Sequence, residues 1–351
     1  MKADELSSGV DGIMSNAVTA VESGREHNSA REQAGGGAPK LLIFHPAADD
    51  YVAAVLGTFP ALEVATASDR SMLRQHIADA EIILASSFPA DALESAQRLK
   101  WIQSTNSGVD FLVPVRERLH GTLVTNARGV HGEVMADYVA GAVTMLHWNF
   151  PDLLRQQAAQ EWKPKFVDPL SSKTIGIVGL GAVGTEIARR AKSMGMTVLG
   201  MRRGSARAGE PVDQYYAREQ FNDLLTRSDF VVLVVPATPE TRKLVGAREL
   251  SAMKRSAYLV NISRGSVVDE AALIQSLVDG QIAGAALDVF EVEPLPPSSP
   301  LWTMPNVIIT SHIAGNPTEY PRRVLQIFLE NLRRYLTGED LVNVVDLMRG
   351  Y

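Results

Sequence analysis

The chain has 351 residues, which is enough for two domains of ordinary size. Its formal net charge of −6 gives it no general attraction for nucleic acid or for an anionic membrane, so an anionic ligand would need cations placed locally. The absence of cysteine excludes disulfides, thiolate catalysis and cysteine-ligated metals, and we predict no metal site.

Residues 1–37 are rich in Ser, Gly, Ala and Glu and end in three consecutive glycines. This composition predicts a disordered N-terminal tail. The stretch lacks the apolar core of a signal peptide, and no apolar run in the chain approaches the roughly 18 residues of a membrane span. The sequence therefore indicates a soluble, cytoplasmic protein without nucleic-acid or membrane partners.

From residue 40 onwards, short apolar runs alternate with helical patterns. Such runs predict buried strands of parallel sheets covered by helices on both faces, and hence an α/β fold. The first series of runs covers residues 41–45, 62–66, 81–86, 100–105 and 122–126. The second series covers residues 174–179, 196–201, 230–235, 257–262, 283–289 and 306–310.

Two longer helical patterns accompany these runs. One extends from about Val134 to Trp162, where Pro151 is expected to break or kink the helix. The other extends from Pro321 to Leu336, after the last strand, and its apolar periodicity predicts a helix that returns to pack on the first domain.

A glycine-rich turn follows the first strand of the second series directly and opens a helix, which predicts a dinucleotide site. In such a turn Gly179 permits the tight bend, Gly181 lets the backbone approach a pyrophosphate, and Gly184 lets the helix pack on the strand. The N–H groups of Ala182 and Val183 would face the phosphates at the positive end of the helix dipole.

The end of the next strand indicates which nucleotide is bound. NAD sites usually carry an acid there, about 20 residues on, for the ribose 2′-hydroxyl. Here the position is Arg202, followed by Arg203, and no carboxylate comes before Glu210. Because a guanidinium pairs with a 2′-phosphate and an acid repels it, we predict NADP(H) as the preferred cofactor, with NAD(H) as an alternative. The competing interpretation is that both arginines are solvated surface charges.

Three side chains of different chemistry, Arg264, Glu293 and His312, follow three of the later strands. Ligands of open α/β sheets bind outside the carboxyl ends of the strands, so these residues are expected on the edge that carries the glycine turn. Arg264 would clamp the carboxylate of a 2-keto acid and polarise its ketone, and His312 would give or take the proton. Glu293 would favour the charged imidazole and fix its tautomer. Taken singly, each residue also has a structural explanation, as a strand cap, a loop charge or a buried histidine.

In these residues and their surrounding motifs the sequence resembles the D-2-hydroxyacid dehydrogenase family, and in particular its glyoxylate/hydroxypyruvate reductases. The resemblance extends from about residue 40 to residue 351. Its motifs are GLGAVG (179–184), PATPETRKLV (236–245), NISRGSVVDEAAL (261–273), AGAALDVFEVEPLP (283–296), TSHIAG (310–315) and NVVDLMRGY (343–351).

The resemblance implies two Rossmann-like or flavodoxin-like parallel-sheet domains with the active site in the cleft between them. The substrate domain would comprise residues 38–145, completed by 316–351, and the dinucleotide-binding domain residues 146–315. It also implies an NAD(P)-dependent reaction between a 2-keto acid and its (R)-2-hydroxy acid, with hydride supplied by the cofactor. Members of the family are usually homodimers joined through their cofactor domains.

Further site residues are implied by the same resemblance. Asn106, Ser107 and Gly108 match a loop whose backbone N–H groups meet the substrate carboxylate. Asp288 matches a residue that faces the nicotinamide amide. The positions that match nucleotide-lining residues are Pro236, Thr241, Ile262, Ser263, Asp288, His312 and Ala314.

The sequence departs from some members of the family at two informative places. Arg202 stands where NAD-using relatives carry Asp. The loop at residues 86–89 lacks the Arg of phosphoglycerate-using relatives, and its Phe88 favours an apolar substrate pocket. We therefore expect glyoxylate, hydroxypyruvate or a 2-keto acid with an apolar substituent as the substrate.

Other functions remain open at the level of sequence. Formate dehydrogenases share the fold but pair the histidine with Gln, so Glu293 argues against them. Phosphite dehydrogenases keep all three catalytic residue types and are harder to exclude. Some relatives are nucleotide-sensing regulatory proteins that bind other proteins, and retention of Arg264 and His312 does not exclude that class.

Overall fold

The computed structural model describes residues 38–206 and 208–349, and these residues form two compact units. The chain passes from the first unit to the second between Arg128 and Gly129, and returns between Pro317 and Thr318. The first of these boundaries lies ahead of the expected one at residue 145. The disorder predicted for residues 1–37 lies outside the described residues, and the assignment of the units as substrate and dinucleotide domains stays a prediction.

The first unit contains a five-stranded sheet in the order β2-β1-β3-β4-β5, in which every pair of strands is parallel. Its strands are β1 (Lys40–Phe44), β2 (Glu63–Ala67), β3 (Ile82–Ala85), β4 (Trp101–Ser104) and β5 (Leu123–Thr125). The connections contain helices α1 (Ala48–Thr58) and α2 (Arg70–His76) and the 3-10 helices Ala90–Ser95 and Asp110–Leu119. All residues of β3 and β4 are buried, as two-sided coverage requires.

Helix α3 (Gly132–Trp148) and helix α4 (Phe150–Ala158) open the second unit. The long helical stretch predicted here, with a break or kink expected at Pro151, is divided at Asn149, which has a left-handed backbone with φ 52°. Pro151 stands in the first turn of α4, where its missing N–H has no helical partner to lose. The expected break is therefore present, and Pro151 lies at the start of the second helix.

The second unit contains, within the described residues, a seven-stranded parallel sheet in the order β12-β11-β10-β9-β6-β7-β8. Its strands are β6 (Thr174–Val178), β7 (Thr197–Met201), β8 (Gln214–Tyr216), β9 (Phe230–Leu233), β10 (Tyr258–Asn261), β11 (Gly284–Leu287) and β12 (Val307–Ile309). The helices between them are α5 (Ala182–Ser193), α6 (Phe221–Arg227), α7 (Ala247–Ala252) and α8 (Glu270–Val278). The two parallel sheets confirm the predicted fold class.

The C-terminal helix α9 (Tyr320–Thr337) packs on the first unit, as its position after the last strand predicted. Phe328 and Leu332 are fully buried in a core that also contains Leu41 and Trp101. The ring of Tyr335 stacks on Trp101 with 5.3 Å between centroids. The last part of the chain therefore completes the core of the unit that its first part begins.

Candidate functional site

The predicted site residues of the second unit lie at the carboxyl ends of its strands. Because all strand pairs of this sheet are parallel, these ends meet at one edge. The glycine turn follows β6, Arg202 follows β7, Arg264 follows β10, and His312 follows β12. The fold thus gathers these residues on the side of the sheet where a nucleotide is expected.

The glycine turn has a close-packed part that the protein itself explains. Gly179 has φ 116°, a conformation that favours glycine, and a Cβ there would lie 2.4 Å from the carbonyl oxygen of Val234. A Cβ on Gly184 would lie 1.9 Å from the carbonyl oxygen of Gly179. Both positions therefore need glycine for the tight turn and for the packing of α5 against it.

Gly181 is different, because neither its backbone nor its packing requires glycine. Its φ is −87°, and a Cβ there would meet nothing within 4 Å. The open space lies at the start of α5, where the first N–H groups, including those of Ala182 and Val183, have no partner within the helix. An uncrowded glycine beside a helix N-terminus fits the pyrophosphate of a dinucleotide, which must approach the backbone closely.

Arg202 is paired with Glu210, the first carboxylate that follows it in the sequence. Its Nη1 donates to Oε1 of Glu210 at 2.5 Å, and the two side chains are only 16% and 8% exposed. Arg203 is about half exposed, and its Nη2 lies 3.5 Å from Oε2 of Glu240. Arg202 is thus too buried to be a solvated surface charge. The exposure of Arg203, in contrast, is typical of a solvated surface charge.

Glu293 and His312 are brought together as a hydrogen-bonded pair. The Nδ1 atom of His312 lies 2.8 Å from Oε2 of Glu293. The other carboxylate oxygen, Oε1, accepts the backbone N–H of Phe290 at 3.0 Å, which fixes the carboxylate in its loop. Since a carboxylate accepts, Nδ1 carries the hydrogen and Nε2 is the nitrogen left for a ligand. Both side chains are partly exposed, so solvent or a ligand can reach them.

The loop that carries His312 closes around Asp288, which is 2% exposed. The Asp288 carboxylate accepts the Thr310 hydroxyl at 2.6 Å and the N–H groups of Ile313 and Ala314 at 2.9 and 3.0 Å. The carbonyl oxygen of Asp288 accepts the His312 N–H at 2.9 Å. This carboxylate therefore uses about three of its roughly four acceptor positions within the protein. Its predicted contact with the nicotinamide amide stays a prediction.

Arg264 lies at the end of β10, in a loop that presses against the loop of Glu293. A Cβ on Gly265 would lie 1.9 Å from the carbonyl group of Phe290, so only glycine allows this approach. The Arg264 Nη1 donates to the Ser263 carbonyl at 2.8 Å. Asn261 organises the same loop: its Oδ1 accepts both the N–H and the hydroxyl of Ser263.

His131, just before α3, is bonded to the segment that follows His312. Its Nδ1 lies 2.6 Å from the carbonyl oxygen of Gly315, which can only accept, so Nδ1 is the donor. Burial lowers the pKa of His131, the bond to Gly315 opposes this, and the charge of Arg264 lowers the pKa further. Burial and the charge of Arg264 therefore both favour the neutral imidazole of His131.

The remaining predicted nucleotide residues lie at the same edge of the sheet. Thr241 stands in the turn after β9, where its hydroxyl donates to the carbonyl oxygen of Pro236 at 2.6 Å. Ile262, Ser263 and Ala314 are buried directly after β10 and β12. Their contact with a nucleotide stays a prediction.

In the first unit, the predicted substrate residues lie on neighbouring loops after β3 and β4. The side-chain amide of Asn106 donates to the carbonyl oxygen of Ser86 at 2.8 Å, and the Ser107 hydroxyl donates to that of Ala127 at 3.0 Å. Gly108 follows in the same loop. Phe88 is only 8% exposed, and its ring meets Phe111 edge-on at 5.6 Å. Packing within the unit thus explains the apolar character of Phe88, and its place in a substrate pocket stays a prediction.

Several residues that shape the site were missed at the level of sequence. Asn261 and Gly265 lie in the same motif as Arg264, residues 261–273, so the motif itself could have indicated them. Thr310 likewise precedes the predicted histidine by two residues. His131 and Glu210 carry no such signal, because their partners are known only from the folded chain.

Other classes of site are not apparent in the described part of the chain. No group of three or more His, Asp or Glu side chains there is arranged to hold a metal ion. None of the helices in that part is both long and apolar enough to span a bilayer.

Comparison with known proteins connects this geometry to one family. Residues 140–314 match the family model described as "D-isomer specific 2-hydroxyacid dehydrogenase, NAD binding domain". A glyoxylate reductase of Korarchaeum cryptofilum is 36% identical over 273 residues, which cover 75% of this chain and 81% of that protein. A D-3-phosphoglycerate dehydrogenase of Methanocaldococcus jannaschii is 33% identical over 324 residues, which cover 88% of this chain but only 59% of that longer protein.

A solved structure extends the similarity to three dimensions. It is a D-isomer specific 2-hydroxyacid dehydrogenase from Xanthobacter autotrophicus Py2 in complex with NADPH and MES. The TM-score is 0.81 and the sequence identity 34%, with 90% of this chain and 100% of that chain covered. The chain therefore belongs to the D-isomer specific 2-hydroxyacid dehydrogenase family, whose members are oxidoreductases with a nicotinamide-binding domain.

Proposed function

We propose that the protein is an NADP(H)-preferring reductase that converts a small 2-keto acid to its (R)-2-hydroxy acid. The observation that carries this proposal is the 2.8 Å pair of Glu293 and His312 on the sheet edge that also carries the glycine turn. A histidine oriented by a carboxylate is suited to proton transfer near neutral pH. The handedness of the product follows from family membership alone.

Each catalytic side chain has a separate task in the proposed reaction. A nicotinamide bound at the glycine turn would supply the hydride for the reaction. Arg264 holds the substrate carboxylate and polarises the ketone, and the negative charge that develops on the oxygen strengthens this interaction. His312 gives the proton from Nε2 to that oxygen, while Glu293 stabilises the imidazolium and keeps Nδ1 protonated.

We propose glyoxylate or hydroxypyruvate as the substrate, with 2-keto acids that carry an apolar substituent as the next candidates. A glyoxylate reductase and a phosphoglycerate dehydrogenase are both among the relatives. The loop at residues 86–89 reads Ser-Ser-Phe-Pro and offers no cation for the phosphate group of a phosphoglycerate. This favours the smaller, unphosphorylated acids.

A substrate panel tests the proposal directly. The full chain is assayed with NADPH and with NADH against glyoxylate, hydroxypyruvate, pyruvate and a branched 2-keto acid. Formate, phosphite and D-3-phosphoglycerate are assayed with NADP⁺ and NAD⁺. Turnover of a 2-keto acid supports the proposal, and turnover of phosphite alone replaces it. Binding of NADPH without any turnover would instead favour a nucleotide-sensing protein.

The proposed preference for NADP(H) depends on Arg202. The buried pair with Glu210 orients the guanidinium, and that single bond to Glu210 occupies one of its five N–H donors. The remaining donors can meet a 2′-phosphate in a bidentate manner. The structurally similar protein from Xanthobacter autotrophicus Py2 was solved with NADPH, which supports the same preference here.

Replacing Arg202 with Asp is expected to erase or reverse the cofactor preference. A hydrogen bond to a charged group contributes about 1.5–3 kcal/mol, so the ratio of kcat/KM for NADPH over NADH should fall by at least roughly tenfold. The variant Arg202→Asp with Glu210→Gln avoids placing two acids together and should show the same loss. An unchanged ratio in both variants would refute the assignment.

Replacing Gly181 with Val is expected to abolish nucleotide binding without unfolding the protein. The added side chain meets no protein atom within 4 Å of its Cβ, but it fills the space proposed for the pyrophosphate. Fluorescence titration with NADPH measures the first effect and thermal melting the second. Gly184→Ala is the contrasting variant, because its Cβ would lie 1.9 Å from a backbone oxygen and should lower the melting temperature. Normal NADPH affinity in Gly181→Val would contradict the proposed site.

We also propose that the protein is a cytoplasmic homodimer. The segment after α3 exposes large apolar side chains: Trp162 is 94% exposed and Phe166 is fully exposed. Trp148, Phe150 and Leu154 are exposed nearby in sequence. Apolar side chains displayed in this number favour burial against another protein. Light scattering tests the dimer, which should have twice the 38.0 kDa mass of one chain.

A further inference from the structure

One side chain outside the loop of His312 enters its hydrogen-bond network. Tyr138 lies on α3, and its hydroxyl oxygen is 2.7 Å from Oγ1 of Thr310. Thr310 has a single hydroxyl hydrogen, and the Asp288 carboxylate takes it. The Tyr138 hydroxyl must therefore donate to Thr310. The bonds form a directed chain from Tyr138 through Thr310 to Asp288, which in turn holds the two N–H groups that follow His312.

The loop needs such support because His312 has a left-handed backbone with φ 54°. This conformation is unfavourable for a residue with a Cβ and persists only where the surroundings fix it. Tyr138 is well placed to provide that support. Its helix is fixed by Ala136, Val139 and Val143, which are buried in a core shared with α5. Burial is the main cause that raises the pKa of Tyr138, so its hydroxyl remains a donor over the physiological range.

The same helix holds the far end of the loop through the bond of His131 to Gly315. The loop of His312 is thus attached to α3 near both of its ends, at Thr310 and at Gly315. Attachment at two points restricts the position of an imidazole between them more than either bond alone.

We propose that Tyr138 is a positioning residue for His312, acting through Thr310 and Asp288. This inference rests on the proposed function, in which His312 transfers the proton. Tyr138 touches neither substrate nor cofactor in this proposal. It fixes the loop so that Nε2 of His312 stays where the substrate oxygen is expected, and small displacements of such groups reduce rates strongly.

The test compares four variants of the full chain. Tyr138→Phe removes only the hydroxyl, Thr310→Val removes the relay, and Thr310→Ser restores the relay with a smaller side chain. Tyr258→Phe is the matched control, because Tyr258 is a half-buried tyrosine of the same unit that stacks on Phe230 away from this loop. Hydrogen exchange of the peptide covering residues 310–315 is measured without ligands. The values of kcat and KM are then measured with glyoxylate and NADPH.

We expect faster exchange of the loop and a roughly tenfold lower kcat in Tyr138→Phe and Thr310→Val, with the KM for NADPH nearly unchanged. Thr310→Ser and Tyr258→Phe should behave like the unmodified protein. Unchanged exchange in Tyr138→Phe, or equal kcat in the valine and serine variants, would overturn the inference. If the unmodified protein turns over no 2-keto acid, the proposed function fails, and the exchange measurement alone decides whether Tyr138 tethers the loop.

Discussion

Replacing His312 with Ala is expected to lower the turnover of glyoxylate by roughly 10²–10⁴-fold, the contribution of a positioned general acid. Hydride transfer places negative charge on the substrate oxygen, and without the imidazole only water can protonate it. NADPH binding should persist, because the glycine turn and Arg202 belong to other strands of the sheet. Steady-state kinetics measure the first effect and fluorescence titration the second.

Two further variants make the result for His312 specific. Glu293→Gln keeps a side chain of the same shape but removes the charge that stabilises the imidazolium, so it should reduce kcat less than the loss of His312 itself. His120→Ala is the control, because His120 is an exposed histidine of the first unit. Turnover close to normal in His312→Ala would remove this residue from the mechanism.

Replacing Arg264 with Ala is expected to lower kcat/KM for the keto acid by roughly 10²–10⁴-fold. Two hydrogen bonds to a carboxylate, each contributing about 1.5–3 kcal/mol, would be lost together. Arg264→Lys should recover only part of the loss, because an ammonium group keeps the charge but not the bidentate geometry. The measurement is the dependence of rate on keto acid concentration at saturating NADPH.

The control for Arg264 is Arg248→Ala, an exposed arginine on α7 of the same unit. It removes the same charge and should leave both kinetic constants near their normal values. If KM and kcat for the keto acid also hold in Arg264→Ala, the proposed clamp is wrong. Affinity for NADPH, measured in parallel, separates loss of substrate recognition from damage to the nucleotide site.

The strands could be predicted largely because they are central and parallel. Buried on both faces, β3 and β9 consist almost entirely of apolar residues, and a continuous apolar run is a strong signal. The edge strand β8 was missed because it has three residues and its Gln214 is exposed. The division between α3 and α4 was expected near Pro151, but the left-handed Asn149 that makes it has no reliable signature in sequence.

The candidate site was predictable where its residues form local motifs. The glycine turn and the three side chains proposed as catalytic follow strands, and strand ends of a parallel sheet share an edge. Contacts between distant segments were not predictable. Tyr138 and Thr310 are 172 residues apart, and nothing in either segment indicates their contact. The pair of Arg202 and Glu210 was missed for a related reason. The two residues are eight positions apart in the sequence, and only the folded loop brings their side chains into contact.

Under the proposed function, the predicted substrate residues and the predicted cofactor residues belong to different units, which has a consequence for changing the substrate. The glycine turn, Arg202 and the three side chains proposed as catalytic all belong to the unit bounded by Gly129 and Pro317. The loops at residues 86–89 and 106–108 belong to the other unit and fold around a separate core. If the proposed function holds, randomising those two loops should yield variants that accept different acids while cofactor preference and proton transfer stay unchanged.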